Sequence, residues 1–373
     1  MKTKNFNNRA WIEINHANLE HNVREVQRLM PENCELMAVV KADAYGLGAY
    51  TVAKHLYKIG IRAFAVATID EGIRLRKAGI RGDILILGYT DPERIREIRR
   101  YRFTQTAVDH AHAEALNRKR VSIDVHLKID TGMHRLGIPF DSVEDVQSVF
   151  RMKNLRVTGI FSHFACADSR EIADVTFTNL QILRFRSLIQ ELKDCGISVP
   201  KAHIQSSYGL LNYPELQFDY VRCGVALYGV LSSSADKTVL SPDLKPVLTV
   251  KSRITHIQAV RKGDPVGYGR TCILQRNSLL ATVSIGYGDG IPRVLSNAGQ
   301  VLIHDQHVPI VGRLCMDQLI IDVTDADHVK VGDAVTIIDA RKGSPASAER
   351  TAETANTITN EILSRLGSRL KNC

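Results

Sequence analysis

The sequence predicts a (β/α)8 barrel over residues 11–240 followed by a mostly β domain over 241–373, to which residues 1–10 are a candidate addition. Three observations predict it: eight short apolar runs, helical spacers between them, and a change of texture near residue 240. The runs lie at 36–40, 63–67, 84–87, 104–108, 123–129, 157–161, 202–205 and 220–224. Spacers such as 70–78 and 179–193 carry apolar residues at helical period, so the pattern is strand and helix repeated rather than a sandwich. A barrel of this kind needs roughly 200 residues or more, and this stretch supplies them. Beyond it, alternating runs at 248–257, 279–285, 300–310 and 334–339 predict strands, with Gly263-Asp264-Pro265 and Gly332-Asp333 as turns. The segment 9–14 is expected to join this second sheet, and 349–370 to form a closing helix.

Composition excludes several classes. With 373 residues, 44% hydrophobic and 24% charged, the chain is long enough for two domains and needs no covalent staples. Its seven cysteines form no CxxC pair and no metal-ligand spacing, which points to a reducing, cytoplasmic setting and to no bound metal. The net charge of +9 is spread through helical stretches such as 94–102 with few interleaved aromatics, so solvated helix faces account for it and no nucleic-acid partner is expected. The first residues lack a signal core, and no run of about eighteen apolar residues occurs.

The chemistry-bearing residues fall where a barrel carries its active site, at the C-terminal ends of the strands. Lys41 ends an apolar run, where desolvation disfavours the ammonium and leaves an amine able to condense with an aldehyde. Lys128 through Arg135 follow the fifth run, Ser162-His163 the sixth, and Gln205-Ser206-Ser207 the seventh, while Arg222 to Val225 close the eighth. Ser207 with the backbone amides of Gly224 and Val225 is a candidate phosphate cradle. One at a time these are ordinary rim residues; five coincidences at one face point to a site.

Several motifs together resemble the pyridoxal-phosphate-dependent alanine racemase family of fold type III. They are VKADAYG at 40–46, HLKIDTGMHRLG at 126–137, GIFSHF at 159–164, VRCG at 221–224, VGYG at 266–269, GYGDGIPR at 286–293 and GRLCMDQ at 312–318. The resemblance implies that Lys41 holds the cofactor, pyridoxal 5'-phosphate, and acts as one acid/base, with Tyr268 of the partner subunit as the other. It further implies that Tyr45, Ser207, Gly224 and Val225 hold the phosphate, that His163 lines the ring, that Arg222 faces the pyridine nitrogen and that Arg135 contacts the phenolate. Lys128 is a candidate for carbamylation beside Arg135; pairing with Asp130 is the plainer alternative. Tyr287 and Met316 would shape the substrate entrance and its carboxylate site, and Arg135 would touch the substrate as well. A homodimer with shared active sites follows from the same resemblance. The chemistry agrees, because racemisation needs two proton carriers on opposite faces of one carbon.

The departures from the family pattern bear on substrate. Where these racemases usually carry a tyrosine in Thr-Ile-Asn-Tyr-Glu, this chain has Asn360 within TITNE at 357–361. A shorter amide opens space beside the substrate β-carbon and offers a partner for a hydroxyl. The pattern is then similar to the racemase domain of vancomycin-resistance membrane serine racemases, which implies serine and alanine as substrates, D-amino acids for peptidoglycan precursors, and a membrane domain preceding this chain. Leu47 and Gln205-Ser206 also depart, where histidine and Ala-Asn are usual. The alternatives are a plain alanine racemase, a non-enzymatic pyridoxal-phosphate carrier and a decarboxylase on a related architecture.

Overall fold

The computed structural model describes residues 8–367 and 369–372. Eight parallel strands form the barrel: Glu35–Val39, Ala63–Val66, Asp83–Ile86, Thr104–Ala107, Ile123–Asp130, Leu155–Phe161, Ala202–His203 and Tyr220–Cys223. The first seven pair in sequence order, Tyr220–Cys223 pairs back onto Glu35–Val39, and an isolated parallel bridge from Ser206, just past the seventh strand, to Arg222 closes the ring. All eight expected runs are present, with boundaries displaced by a residue or two. The seventh is the shortest because the chain leaves it after His203 to reach the helix Ser207–Asn212.

Side chains alternate across each strand. Met37, Val39, Ala63, Ala65, Leu85 and Tyr220 pack inside the barrel, where small alanines suit the narrow interior, while Ala38, Phe64, Ile84 and Ile86 face the helices. The helices His16–Leu29, Ile69–Lys77, His110–Arg118 and Ala348–Thr354 start where a short polar side chain satisfies a free N–H group. The Ser- and Asp-type caps are typified by Asp109, which accepts from His112 N–H at 2.7 Å. Thr68 and Glu71 form a reciprocal box ahead of Ile69–Lys77.

The second sheet is built on one long strand, Leu248–Val260, which pairs antiparallel with Ala10–Ile14, Ser278–Val283 and Ala334–Ile338. Residues 1–7 lie outside the described residues. Two expectations need correction. The run 300–310 is a hairpin of Gln300–Ile303 and Gln306–Pro309, because His304 and Asp305 both take left-handed conformations and reverse the chain. The closing helix is two short helices, Ala348–Thr354 and Thr359–Ser364, separated where Asn356 adopts φ 51°. The strand Leu319–Asp322 was not anticipated.

The two sheets meet at the barrel mouth. Helix Thr359–Ser364 lies against the loop after the first barrel strand, so closely that a Cβ on Gly46 would sit 2.2 Å from the Leu363 carbonyl oxygen. Gly46 also has φ 78°, which side chains disfavour. Gly46→Ala is expected to lower stability by at least ~1 kcal/mol, since strain and clash act together. Urea unfolding of the variant measures this; an unchanged midpoint would show that the helix moves aside freely.

Candidate active site

A cavity of about 450 Å³ opens at the C-terminal ends of the barrel strands. Lys41, Tyr45, Lys128, Arg135, His163, Ser207, Arg222, Gly224, Val225 and Asn360 all line it. Tyr268, Tyr287 and Met316 do not; they are 69%, 41% and 53% exposed on the second domain. Their loops adjoin one another: Tyr287 N–H donates to the Cys315 carbonyl at 3.1 Å, and a Cβ on Gly269 would meet the Arg313 guanidinium at 2.8 Å.

Lys41 sits at the entry of a left-handed turn. Ala42, Asp43, Ala44 and Tyr45 have φ of 52°, 54°, 54° and 55°, a run that costs roughly 1–2 kcal/mol per residue. Local bonds hold it. Glu71 accepts from Ala42 N–H at 2.8 Å through one oxygen and from Ala67 N–H at 2.7 Å through the other, and Asp43 accepts from Ala49 N–H at 2.7 Å. Glu71 therefore ties the first strand's exit to the second's. Burial lowers the Lys41 pKa, Arg135 and Arg222 lower it further, and Glu71 partly opposes them.

At the other end of the cavity neutral donors collect. Gly224 N–H donates to Ser207 Oγ at 3.2 Å, and a Cβ on Gly224 would lie 2.7 Å from the Tyr45 hydroxyl, so only glycine permits this approach. Burial pushes the Tyr45 phenol up to about 12, keeping it a neutral donor. Tyr45 packs on Tyr228, whose hydroxyl donates to the Val39 carbonyl at 2.8 Å. A hydroxyl pair and backbone amides around a glycine suit a phosphate, and the amine of Lys41 suits an aldehyde. The residues present fit pyridoxal phosphate.

Arg222 is buried between these ends. It donates to the Ser162 and Ile204 carbonyls at 2.7 and 3.0 Å, to His203 Nδ1 at 2.7 Å and to His163 Nδ1 at 3.2 Å. Because arginine only donates, both imidazoles accept at Nδ1. Burial and then Arg222 hold His163 and His203 far below the usual histidine range, so neither is charged. Burial brings Arg222 itself down to about 9, still a cation at neutral pH. Lys128 donates to the Ile129 carbonyl at 2.8 Å, while Asp130 pairs with His134 at 2.9 Å. Burial, followed by Arg222, takes the Lys128 amine down to about 7.

Asn360 forms the cavity wall contributed by the second domain. Its Oδ1 accepts from Ser232 Oγ at 2.9 Å. Ser232 N–H donates to the Tyr208 hydroxyl at 2.6 Å, and that hydroxyl donates to Asp236.

A family model for the alanine racemase N-terminal domain matches residues 14–232, and one for the C-terminal domain matches 247–373. The chain belongs to the alanine racemase family. An amino-acid racemase of Enterococcus faecalis is 47% identical over 363 residues, and a serine/alanine racemase of Enterococcus gallinarum is 43% identical; each match takes in 97% of this chain and 51% of the relative. The chain thus spans about half the length of these relatives. An alanine racemase of Carboxydothermus hydrogenoformans is 40% identical over 97% of this chain and 98% of its own length. The crystal structure of an alanine racemase from Bartonella henselae with covalently bound pyridoxal phosphate superposes with a TM-score of 0.84 at 31% identity, covering 98% of this chain and 99% of that one.

Within this family member, sequence reasoning missed Glu71, Tyr208, Ser232 and Asp236. Only Glu71 left a local signal, the Thr68-x-x-Glu71 spacing of a capping box. The other three meet only in the folded chain.

The Lys128 amine has a defined pH consequence. Between its folded value of about 7 and the ordinary lysine value of 10.5, the unfolded chain binds a proton that the folded chain does not, so stability rises with pH across that window and the full cost is present below it. Lys128→Met is expected to be more stable than the native chain at neutral pH and to show a flatter profile above pH 7. Urea unfolding in carbonate-free buffer checks this; parallel profiles would refute it.

Proposed function

We propose that this chain is a pyridoxal-phosphate-dependent racemase of serine that also turns over alanine, contributing D-amino acid for cell-wall precursors. The convergence of Lys41, the Ser207–Gly224 cradle and Asn360 on one cavity carries the reading. The cofactor, when bound, supplies the electron sink that makes the substrate α-proton removable. Lys41 holds the cofactor and, with its amine biased toward the neutral form, carries the proton on one face of the substrate. Tyr45, Ser207 and the amides of Gly224 and Val225 bind the phosphate. His163, neutral, lines the ring. Arg222 offers the ring nitrogen a hydrogen bond but retains its proton, which keeps that nitrogen neutral and restrains side reactions such as transamination.

Tyr268 carries the proton on the opposite face, from the partner subunit. Its exposure on the same chain's surface, far from any role in its own core, supports this. Tyr287 and Met316, on adjoining loops, shape the entrance to that neighbouring site. Arg135 contacts the cofactor phenolate and the substrate carboxylate. Lys128, whose amine burial brings down to about 7, adds carbon dioxide through its neutral form with loss of one proton, and the resulting carbamate steadies Arg135.

A plain alanine racemase is the second reading, favoured by the full-length match to the Carboxydothermus hydrogenoformans enzyme. Asn360 decides between them. A pocket built to bind a hydroxyl gains serine, whereas extra room alone rejects alanine only weakly. Asn360→Tyr is expected to lower the serine-to-alanine ratio of kcat/KM by roughly tenfold or more; an unchanged ratio removes the serine reading.

The shared site has its own test. Lys41→Ala and Tyr268→Phe homodimers should each be inactive, yet mixing and reassociating them should restore about a quarter of native activity, because half the dimers are hybrid and each hybrid has one intact site. No recovery on demonstrated exchange would place both groups on one chain.

A further inference from the structure

The amide of Asn360 has two ends, and the side it turns to the cavity determines what it recognises. A donor end suits the lone pairs of a substrate hydroxyl; either end is of no use to a methyl group. The fold supplies a means of choosing. Ser232 Oγ donates to Asn360 Oδ1 at 2.9 Å, which leaves the Asn360 NH₂ group to serve the cavity that both residues line.

Ser232 is itself held from three directions. Its carbonyl accepts from Thr359 N–H at 2.8 Å and from Thr359 Oγ1 at 2.9 Å, which ties it to the residue next to Asn360. Its N–H donates to the Tyr208 hydroxyl at 2.6 Å. Tyr208 donates in turn to Asp236, a carboxylate that also accepts from Ser233 N–H at 2.9 Å. An ionised carboxylate only accepts, so Tyr208 must donate to it and receive from Ser232. Burial, then Asp236, raises the Tyr208 pKa and keeps its proton in place.

We infer that Ser232, braced by Tyr208 and Asp236, is a positioning residue that turns the Asn360 amide donor into the pocket and so sets the preference for a β-hydroxy amino acid over alanine. The inference rests on the serine reading of Asn360 given above. Ser232 touches neither reacting atom; it acts through Asn360. Removing its hydroxyl frees the amide to rotate, so no single orientation is held ready for the substrate hydroxyl and serine binding weakens more than alanine binding.

The test measures kcat and KM for L-serine and L-alanine in the full chain loaded with cofactor. Ser232→Ala should lower the serine-to-alanine ratio of kcat/KM by about five- to tenfold, expressed in the KM for serine. Ser232→Thr, which keeps a hydroxyl, should recover most of the loss. In an Asn360→Tyr background Ser232→Ala should leave the ratio where it is. Equal losses for both substrates, or the same drop in the Asn360→Tyr background, would overturn the positioning role. If Asn360→Tyr alone fails to shift the ratio, the serine reading falls; if it shifts the ratio while Ser232→Ala does not, only the role of Ser232 falls. Should Ser232→Ala not fold, Tyr208→Phe takes its place and must move the ratio in the same direction. In the cofactor-free protein, the ¹⁵N-labelled Asn360 amide should give one distinct pair of proton resonances that Ser232→Ala averages or doubles; an unchanged pair also overturns the inference.

Discussion

Everything at the barrel mouth depends on an amine being partly desolvated and fixed in position. The strand Glu35–Val39 delivers the chain to Lys41 out of an apolar interior, and the next four residues wind the wrong way for L-amino acids. Such a turn persists only when its surroundings over-determine it. Here Glu71 grips it from the neighbouring strand's exit, Asp43 closes it from within, and Gly46 sits against the second domain's helix Thr359–Ser364. The strain is local, the restraints come from three parts of the chain, and the result is a lysine whose nitrogen has little freedom to retreat into solvent.

The charge balance of the cavity follows from that placement. Lys41, Lys128, Arg135 and Arg222 line it, with Asp168 as the acidic residue among its lining. The depressed values at Lys41 and Lys128 and the neutral imidazoles of His163 and His203 are the ways the fold relieves crowding among cations. An anionic occupant relieves it further. Phosphate and carboxylate groups therefore fit this cavity electrostatically as well as sterically, and the same excess of positive charge biases the Lys41 amine toward the neutral form that can accept a proton.

The barrel was legible because parallel strands buried on both faces give unbroken apolar runs, and their helical spacers have a different period. Lys41, Arg222 and Ser207 were legible because strand ends are where barrels present polar groups. The bracing was not. Tyr208, Ser232 and Asp236 lie up to 152 residues from Asn360, which the family pattern does mark, and no local pattern marks residues that meet only through tertiary contact. The 300–310 hairpin escaped because His304-Asp305 lacks the Asn-Gly or Asp-Gly signature of a tight turn. The break near Asn356 escaped because the surrounding residues keep helical composition on both sides.

The strand Ala10–Ile14 leaves the ribosome more than two hundred residues ahead of its partner Leu248–Val260. At roughly 5–20 residues per second, the ribosome leaves that strand without its mate for some tens of seconds. During that interval Trp11 and Ile12, which end up buried, have no sheet to cover them. The long delay makes this stretch a natural recognition element for chaperones, and it makes final sheet closure, rather than barrel formation, the step at which nascent chains are most exposed to mispairing with one another.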